Sequence, residues 1–311
     1  MPYRPLVSRA LLAAAGSGGV RRVLATAPGT REVLRRFVAG ETAEDALRAG
    51  DRLAGEGLLA TYDMLGEDAG DRARADAATR GHLDLLARIG ARGLGPRAEA
   101  SLKLTALGQE LDEDLALANA RRICAAARDA GTAVTLDAEG PATVASTLRI
   151  LRELRRDFPG TGAVVQAYLR RAEELCAELA FEGSRVRLCK GAYAAPEEVA
   201  FTGREDVDRS YVRCLKVLMT GAGHPMVATH DPRLIEIAGA LARLHDRDAD
   251  TFEYQLLYGV RPNEQRRLAA EGARVRVYVA YGTQWYGYFM RRLAERPAGL
   301  AAVLRSAATR G

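Results

Sequence analysis

Lysine is nearly absent from this chain. Of its 45 basic residues only Lys103, Lys190 and Lys216 are lysines, so arginine serves wherever a positive charge suffices. A compact ammonium fits tight contacts that a planar guanidinium does not, which makes each remaining lysine worth placing. Cysteine is scarce too: Cys124, Cys176, Cys189 and Cys214 show no C-x-x-C spacing, and no histidine stands where a zinc site needs one. This reads as reduced structural thiols in a cytoplasmic protein without a metal. No apolar run reaches the roughly 20 residues that span a bilayer. The stretch LVSRALLAAAGSGGV after Arg4 imitates a secretory leader, but Arg9 interrupts it, and a helix leading into the domain is expected. No G-x-G-x-x-G is present either, since GSGGV at 16–20 and GLGPR at 93–97 both fail that pattern.

What is present is enough apolar residue, 48% of 311, for one large core. The net charge of +5 and pI near 9.1 are spread along the chain among acids. With no reader motif for bases, no nucleic-acid partner is expected.

Eight β-like runs alternate with helical patterns: 58–65, 100–104, 133–138, 163–169, 185–190, 225–230, 251–257 and 274–281. Alternation of this kind gives a parallel α/β fold, and roughly 20 to 40 residues between strand centres leave room for one crossover helix each. An eight-stranded (β/α)8 TIM-like barrel is predicted over 51–311, preceded by helical segments over 1–50. A doubly wound sheet is the alternative, disfavoured because no phosphate-binding turn follows the first strand.

Barrel chemistry belongs at the carboxyl ends of the strands. There the sequence places Lys103, then Asp137 and Glu139, Gln166 and Tyr168, Arg187 and Lys190, Thr229 and His230, Gln255, and Tyr278. Each alone has a structural explanation, such as a helix cap or a core histidine. Together they are costly to desolvate without a ligand, and positive groups are expected to predominate, suiting an anionic cofactor and a carboxylate substrate. Lys190-Gly191-Ala192 offers an ammonium with close backbone approach, whereas Lys216 lies in a helical pattern as a surface residue. Beyond the last strand, Trp285, Tyr288, Arg292 and Glu295 fall within a roughly 80° helical arc with Arg291 beside them. That face suits a small zwitterion, although Arg291 and Glu295 also form an ordinary i,i+4 pair.

These residues carry a resemblance to the proline dehydrogenase (proline oxidase) family. The matching fragments are SLKLTALG (101–108), DAE (137–139), VVQAYLRR (164–171), RLCKGAY (187–193), ATHD (228–231), FEYQLLYG (252–259) and the stretch from Tyr278 to Arg296. The resemblance implies oxidation of L-proline to Δ1-pyrroline-5-carboxylate by hydride transfer to FAD, with a quinone as final acceptor and a possible peripheral contact with a membrane. It assigns Lys103, Arg291 and Arg292 to the substrate carboxylate, Tyr193, Tyr278 and Tyr288 to the substrate pocket, and Glu295 to the arginines or the ring nitrogen. Asp137 and Arg187 take catalytic roles. Ala138, Gln166, Arg187, Lys190, Gly191, Ala192, Thr229 and His230 contact the flavin. The chain departs from the family pattern at Cys189, Ala194, Asp231 and Ala280. Two other readings stand beside it: an aldolase or synthase with Lys190 as Schiff-base nucleophile, and a non-catalytic scaffold.

Overall fold

The computed structural model describes residues 34–191 and 193–295, the last five for their backbone alone. Among them the strands are β1 Leu59–Met64, β2 Ala98–Leu102, β3 Val134–Leu136, β4 Ala163–Gln166, β5 Arg185–Cys189, β6 His224–Ala228, β7 Glu253–Leu257 and β8 Val275–Tyr281. The helices between them are α1 Ala43–Gly55, α2 Arg72–Ala91, α3 Glu113–Asp129, α4 Val144–Asp157, α5 Ala172–Leu179, α6 Arg204–Thr220, α7 Pro232–Leu244, α8 Pro262–Ala270 and α9 Trp285–Glu295.

All strand pairings are parallel, in the order β3-β2-β1-β8-β7-β6-β5-β4. The two ends of that sheet meet through a parallel bridge between Thr135 and Gly162, with Leu136 N–H donating to Gly162 O at 2.9 Å and Gly162 N–H to Val134 O at 2.8 Å. Gly162 permits this closure: a Cβ there would lie 2.5 Å from the Thr135 hydroxyl. The predicted barrel is therefore found, with most strands a few residues shorter than their apolar runs and β2 displaced two residues toward the amino terminus.

Strand alternation divides the side chains into two shells. Outward residues such as Val186, Leu188, Val227, Leu256, Val277 and Val279 are buried under the helices in one continuous core with Leu85, Ile89, Ile123, Leu154 and Leu215. Each such aliphatic side chain contributes about 1.5 to 3 kcal/mol by leaving water. Inward residues are mostly polar: Thr61, Asp63, Glu99, Ser101, Thr135, Arg187, Glu253, Gln255 and Arg276 are all buried. Barrels commonly fill this space with branched apolar side chains, so a polar interior needs internal partners.

Residues 1–33 lie outside the described part. The described chain begins with a helical turn at 34–37 and then α1, which has a capping box: Thr42 accepts from Asp45 N–H while Asp45 accepts from Thr42 N–H. Helix α1 crosses position 50, so the helical lead-in and the barrel share one element. Ala39 N–H donates to Ala280 O at 2.9 Å, and Phe37 and Val38 pack with Leu65, Val260 and Trp285. Residues 37–39 thus lie at the carboxyl end of β8, while α1 packs into the main core beside β1.

Candidate active site

Five inward side chains from different strands converge near the mouth. Arg187 on β5 donates from Nη1 to Asp137 Oδ1 at 2.6 Å and to Ser101 Oγ at 2.8 Å, and from Nε to Gln255 Oε1 at 2.5 Å. Ser101 also donates to Asp137 Oδ1 at 2.9 Å. Tyr278 on β8 donates to Asp137 Oδ2 at 2.7 Å, and its ring lies beneath the guanidinium, 5.3 Å from Arg187 Cζ. Burial, reinforced by the Asp137 and Asp63 charges, holds the Tyr278 phenol well above its ordinary range, so it stays a donor. Asp137 is fixed in turn by its own N–H bonding to Leu102 O at 2.8 Å. A carboxylate, a guanidinium and a phenol are thereby locked across strands far apart in sequence.

Lys103 follows β2 directly and pairs with Asp63 on β1, both side chains nearly closed to solvent. Burial opposes the ammonium, but the Asp63 and Asp137 carboxylates outweigh it and hold Lys103 above its ordinary range. An ammonium has three donors and Asp63 takes one, so Lys103 can still meet a substrate carboxylate. Asp63 was not anticipated from the sequence; the alternation of LLATYDML, which puts Thr61 and Asp63 on one face, is the signal that points to it. Glu139 accepts from the Thr105 hydroxyl and from Thr105 N–H at 3.2 Å, the latter within the short turn Thr105–Leu107. Burial pushes its carboxyl up to about 7 despite those two donors.

The flavin-side residues gather at β4, β5 and β6. Gln166 donates from Nε2 to Ala138 O at 3.4 Å. Lys190 lies between Asp208 Oδ1 at 2.5 Å and Asp231 Oδ2 at 3.2 Å, and Arg233 contacts the same two carboxylates. Asp231 caps α7 by accepting from Arg233 N–H, and the Arg233 guanidinium together with Lys190 holds its carboxyl down to about 2. Thr229 Oγ1 accepts from Asp231 N–H at 3.1 Å, and His230 Nε2 accepts from Leu257 N–H at 2.9 Å. A cavity of about 770 Å³ opens beside them, lined among others by Lys190, Arg204, His230, Asp231 and Arg233. Gly191 has φ +92°, and a Cβ there would lie 2.2 Å from the Tyr168 ring. Its lack of a side chain makes room for the Tyr168 ring, a contact that the sequence did not anticipate.

Among the described residues the lysines at the mouth do not stand as an excess of positive charge. Asp63, Asp208 and Asp231 supply counter-charges that no linear motif pairs with the lysines. Nor is Lys190 arranged as a nucleophile, since it gives its ammonium to two carboxylates. Lys216 is exposed on α6, as expected.

Helix α9 carries Tyr288 buried, while Trp285 meets Tyr286 and Phe289 edge-on at 6.1 and 6.2 Å. These rings join Phe37, Leu65 and Val260 in an apolar cluster that seats α9 at the mouth. The side chains of Arg291, Arg292 and Glu295, and all of Ala192, lie outside the described residues. Tyr193 is half-buried, three residues past Lys190.

The family model described as proline dehydrogenase matches residues 46–302, which takes in the whole barrel and α9. The chain belongs to the proline dehydrogenase family. It is 42% identical to proline dehydrogenase 1 of Bacillus subtilis strain 168 over 281 residues, covering 90% of this chain and 92% of that protein. With the proline dehydrogenase of Deinococcus radiodurans it shares 39% identity over 275 residues, 87% and 88% of the two chains. Among solved structures, proline utilization A from Bdellovibrio bacteriovorus inactivated by N-propargylglycine superposes with a TM-score of 0.81 at 22% identity, over 92% of this chain and 36% of that one. That likeness places the fold of this proline dehydrogenase family member within one part of a much longer protein.

Proposed function

We propose that this chain oxidises L-proline to Δ1-pyrroline-5-carboxylate with FAD as its flavin. One structural observation carries the cofactor reading. Arg187 Nη2 and Gln166 Oε1 are buried and have no protein partner among the described residues. They stand on the paired strands β5 and β4. Leaving a buried donor and acceptor unmade costs about 1 to 3 kcal/mol each, so a ring system that offers both an acceptor and a donor fits this place. Bound FAD supplies a two-electron acceptor for the hydride of the proline carbon next to nitrogen.

This chain's residues bind and orient. Lys103 holds one carboxylate oxygen of proline, assisted by Arg291 and Arg292 from α9, with charge-assisted bonds of roughly 1.5 to 3 kcal/mol each. Tyr278 and Tyr288 flank the pyrrolidine ring, with Tyr193 and Glu295 completing the pocket. Asp137 keeps Arg187 and Tyr278 in place, and the fixed guanidinium of Arg187 would stabilise the negative charge that the flavin gains on accepting the hydride. The ring nitrogen, entering as the neutral amine, releases one proton to water as the hydride is lost, which leaves the cyclic imine. Gln166, Ala138, Lys190, Gly191, Ala192, Thr229 and His230 line the cofactor. Reoxidation by a quinone, and a peripheral membrane contact to reach one, rest on the family likeness; among the described residues no helix is long and apolar enough to cross a membrane.

The purified protein is expected to be yellow and to bleach anaerobically with L-proline but not with pyrrolidine, which lacks the carboxylate. A colourless preparation that neither binds added FAD nor reduces a dye refutes the assignment.

A further inference from the structure

Below the mouth, the barrel interior is crossed by one unbroken line of buried polar groups. At its floor Arg276 on β8 donates to Glu253 Oε1 at 2.8 Å and to Ala60 O at 3.1 Å, and lies 3.3 Å from Glu99 Oε1. Arg185 on β5 also pairs with Glu99. Gln255, two residues after Glu253 on β7, donates from Nε2 to Glu253 Oε1 at 2.5 Å and accepts from Arg187 Nε at 2.5 Å. The line therefore runs from the floor charges through a single neutral amide to the guanidinium at the mouth. Glu253, Gln255, Arg276 and Arg187 are each exposed by no more than 4%.

We propose that Gln255 is a positioning residue for Arg187, and that the ionised carboxylate of Glu253 sets the direction of its amide. An amide has one accepting and one donating end, and its two neighbours here demand the same direction: Arg187 Nε–H can only donate and an ionised Glu253 can only accept. Burial works against ionisation of Glu253, but Arg276, with His224 and Arg185, outweighs it and holds the carboxyl well below its usual range. An ionised carboxylate only accepts, so the amide must turn its NH2 toward Glu253. Its oxygen is then presented to Arg187, whose Nε–H needs an acceptor. With Nε held by Gln255 and Nη1 by Ser101 and Asp137, the guanidinium has one orientation, and Nη2 is the donor that remains. The inward period-2 face of FEYQLLYG marks Gln255 in the sequence; its link to Arg187, 68 residues away, exists only in the closed barrel.

This inference rests on the reading of Arg187 as the group facing the flavin, and the test separates the two. Gln255→Met, Arg187→Lys and the double variant are compared as holoenzymes by flavin content, by the midpoint potential of the bound flavin, and by anaerobic flavin reduction at varied L-proline. Gln255→Met is expected to lower the limiting reduction rate about tenfold, with half-saturation by proline within about twofold, and to shift the potential negative. In the Arg187→Lys background, where no Nε–H remains to be held, the same change is expected to cost less than about twofold, a strong departure from additivity. If Arg187→Lys is impaired while Gln255→Met changes neither rate nor potential, or if the two effects simply multiply, the positioning role is wrong and the Arg187 reading survives. If Arg187→Lys itself leaves rate and potential unchanged, the Arg187 reading fails and the inference falls with it. Should Gln255→Met not fold, Glu253→Gln removes the charge that fixes the amide while leaving Glu99 beside Arg276. It is expected to slow reduction about threefold with a negative shift in potential, and unchanged values overturn the proposal.

Discussion

Replacing Glu139 by glutamine should remove one proton from the linkage between folding and pH. The Glu139 carboxyl is held at about 7, against roughly 4.3 in an unfolded chain. Burial is the main cause, and Thr105 and Lys103 only partly offset it. Between these values the folded protein keeps a proton that the unfolded chain has released. Stability therefore declines as pH rises through that window, and it levels off once both states are ionised. A difference of about 2.7 pKa units corresponds to about 3.7 kcal/mol in total. In Glu139→Gln the amide oxygen can still accept from Thr105 N–H and the amide nitrogen can donate to the Thr105 hydroxyl, so the local fold is kept. Urea unfolding followed by the fluorescence of the single tryptophan, Trp285, from pH 4.5 to 8 gives the two curves. Their difference should grow by about 3 kcal/mol in favour of the variant, most of it between pH 5 and 7. Curves that run parallel over that range refute a buried, protonated Glu139.

Three other contacts lead to measurable outcomes. Arg276→Met leaves Glu99 and Glu253 buried without their shared guanidinium. It should cost about 3 to 5 kcal/mol in denaturant unfolding, with most of the loss restored when Glu99→Gln and Glu253→Gln are added; a loss below about 1 kcal/mol contradicts the buried-charge argument. Gly191→Ala combines a left-handed φ with a Cβ inside contact distance of the Tyr168 ring, so flavin occupancy should drop and stability fall by about 2 kcal/mol or more, measured by absorbance and thermal melting. Asp231→Asn keeps an equally good cap for α7 while removing a charge partner of Lys190 and Arg233. Flavin affinity, measured by titration of the apoprotein, should change more than the melting temperature does; unchanged affinity and reduction rate would remove Asp231 from the flavin site.

The fold and most of the mouth were legible along the chain because both are written in local patterns. Alternation between short β-branched runs and amphipathic segments determines a barrel, since each helix must cover the outward face of its strand. The inward polar residues follow from period 2, and Asp137 hydrogen-bonds both Arg187 and Tyr278, although Arg187 and Tyr278 lie within their strands rather than at the ends. What remained hidden was who faces whom. Asp63 reaches Lys103 over a separation of 40 residues, Asp231 reaches Lys190 over 41, and Arg187 meets Gln255 over 68. No sequence spacing encodes such partners, because closure of the sheet and the stagger of its strands decide them. Among the described residues, an apparent surplus of positive charge thus became a set of ion pairs, buried at Lys103 and half-buried at Lys190. Likewise, that Gly191 makes room for the Tyr168 ring emerges only once β4 and β5 are packed side by side.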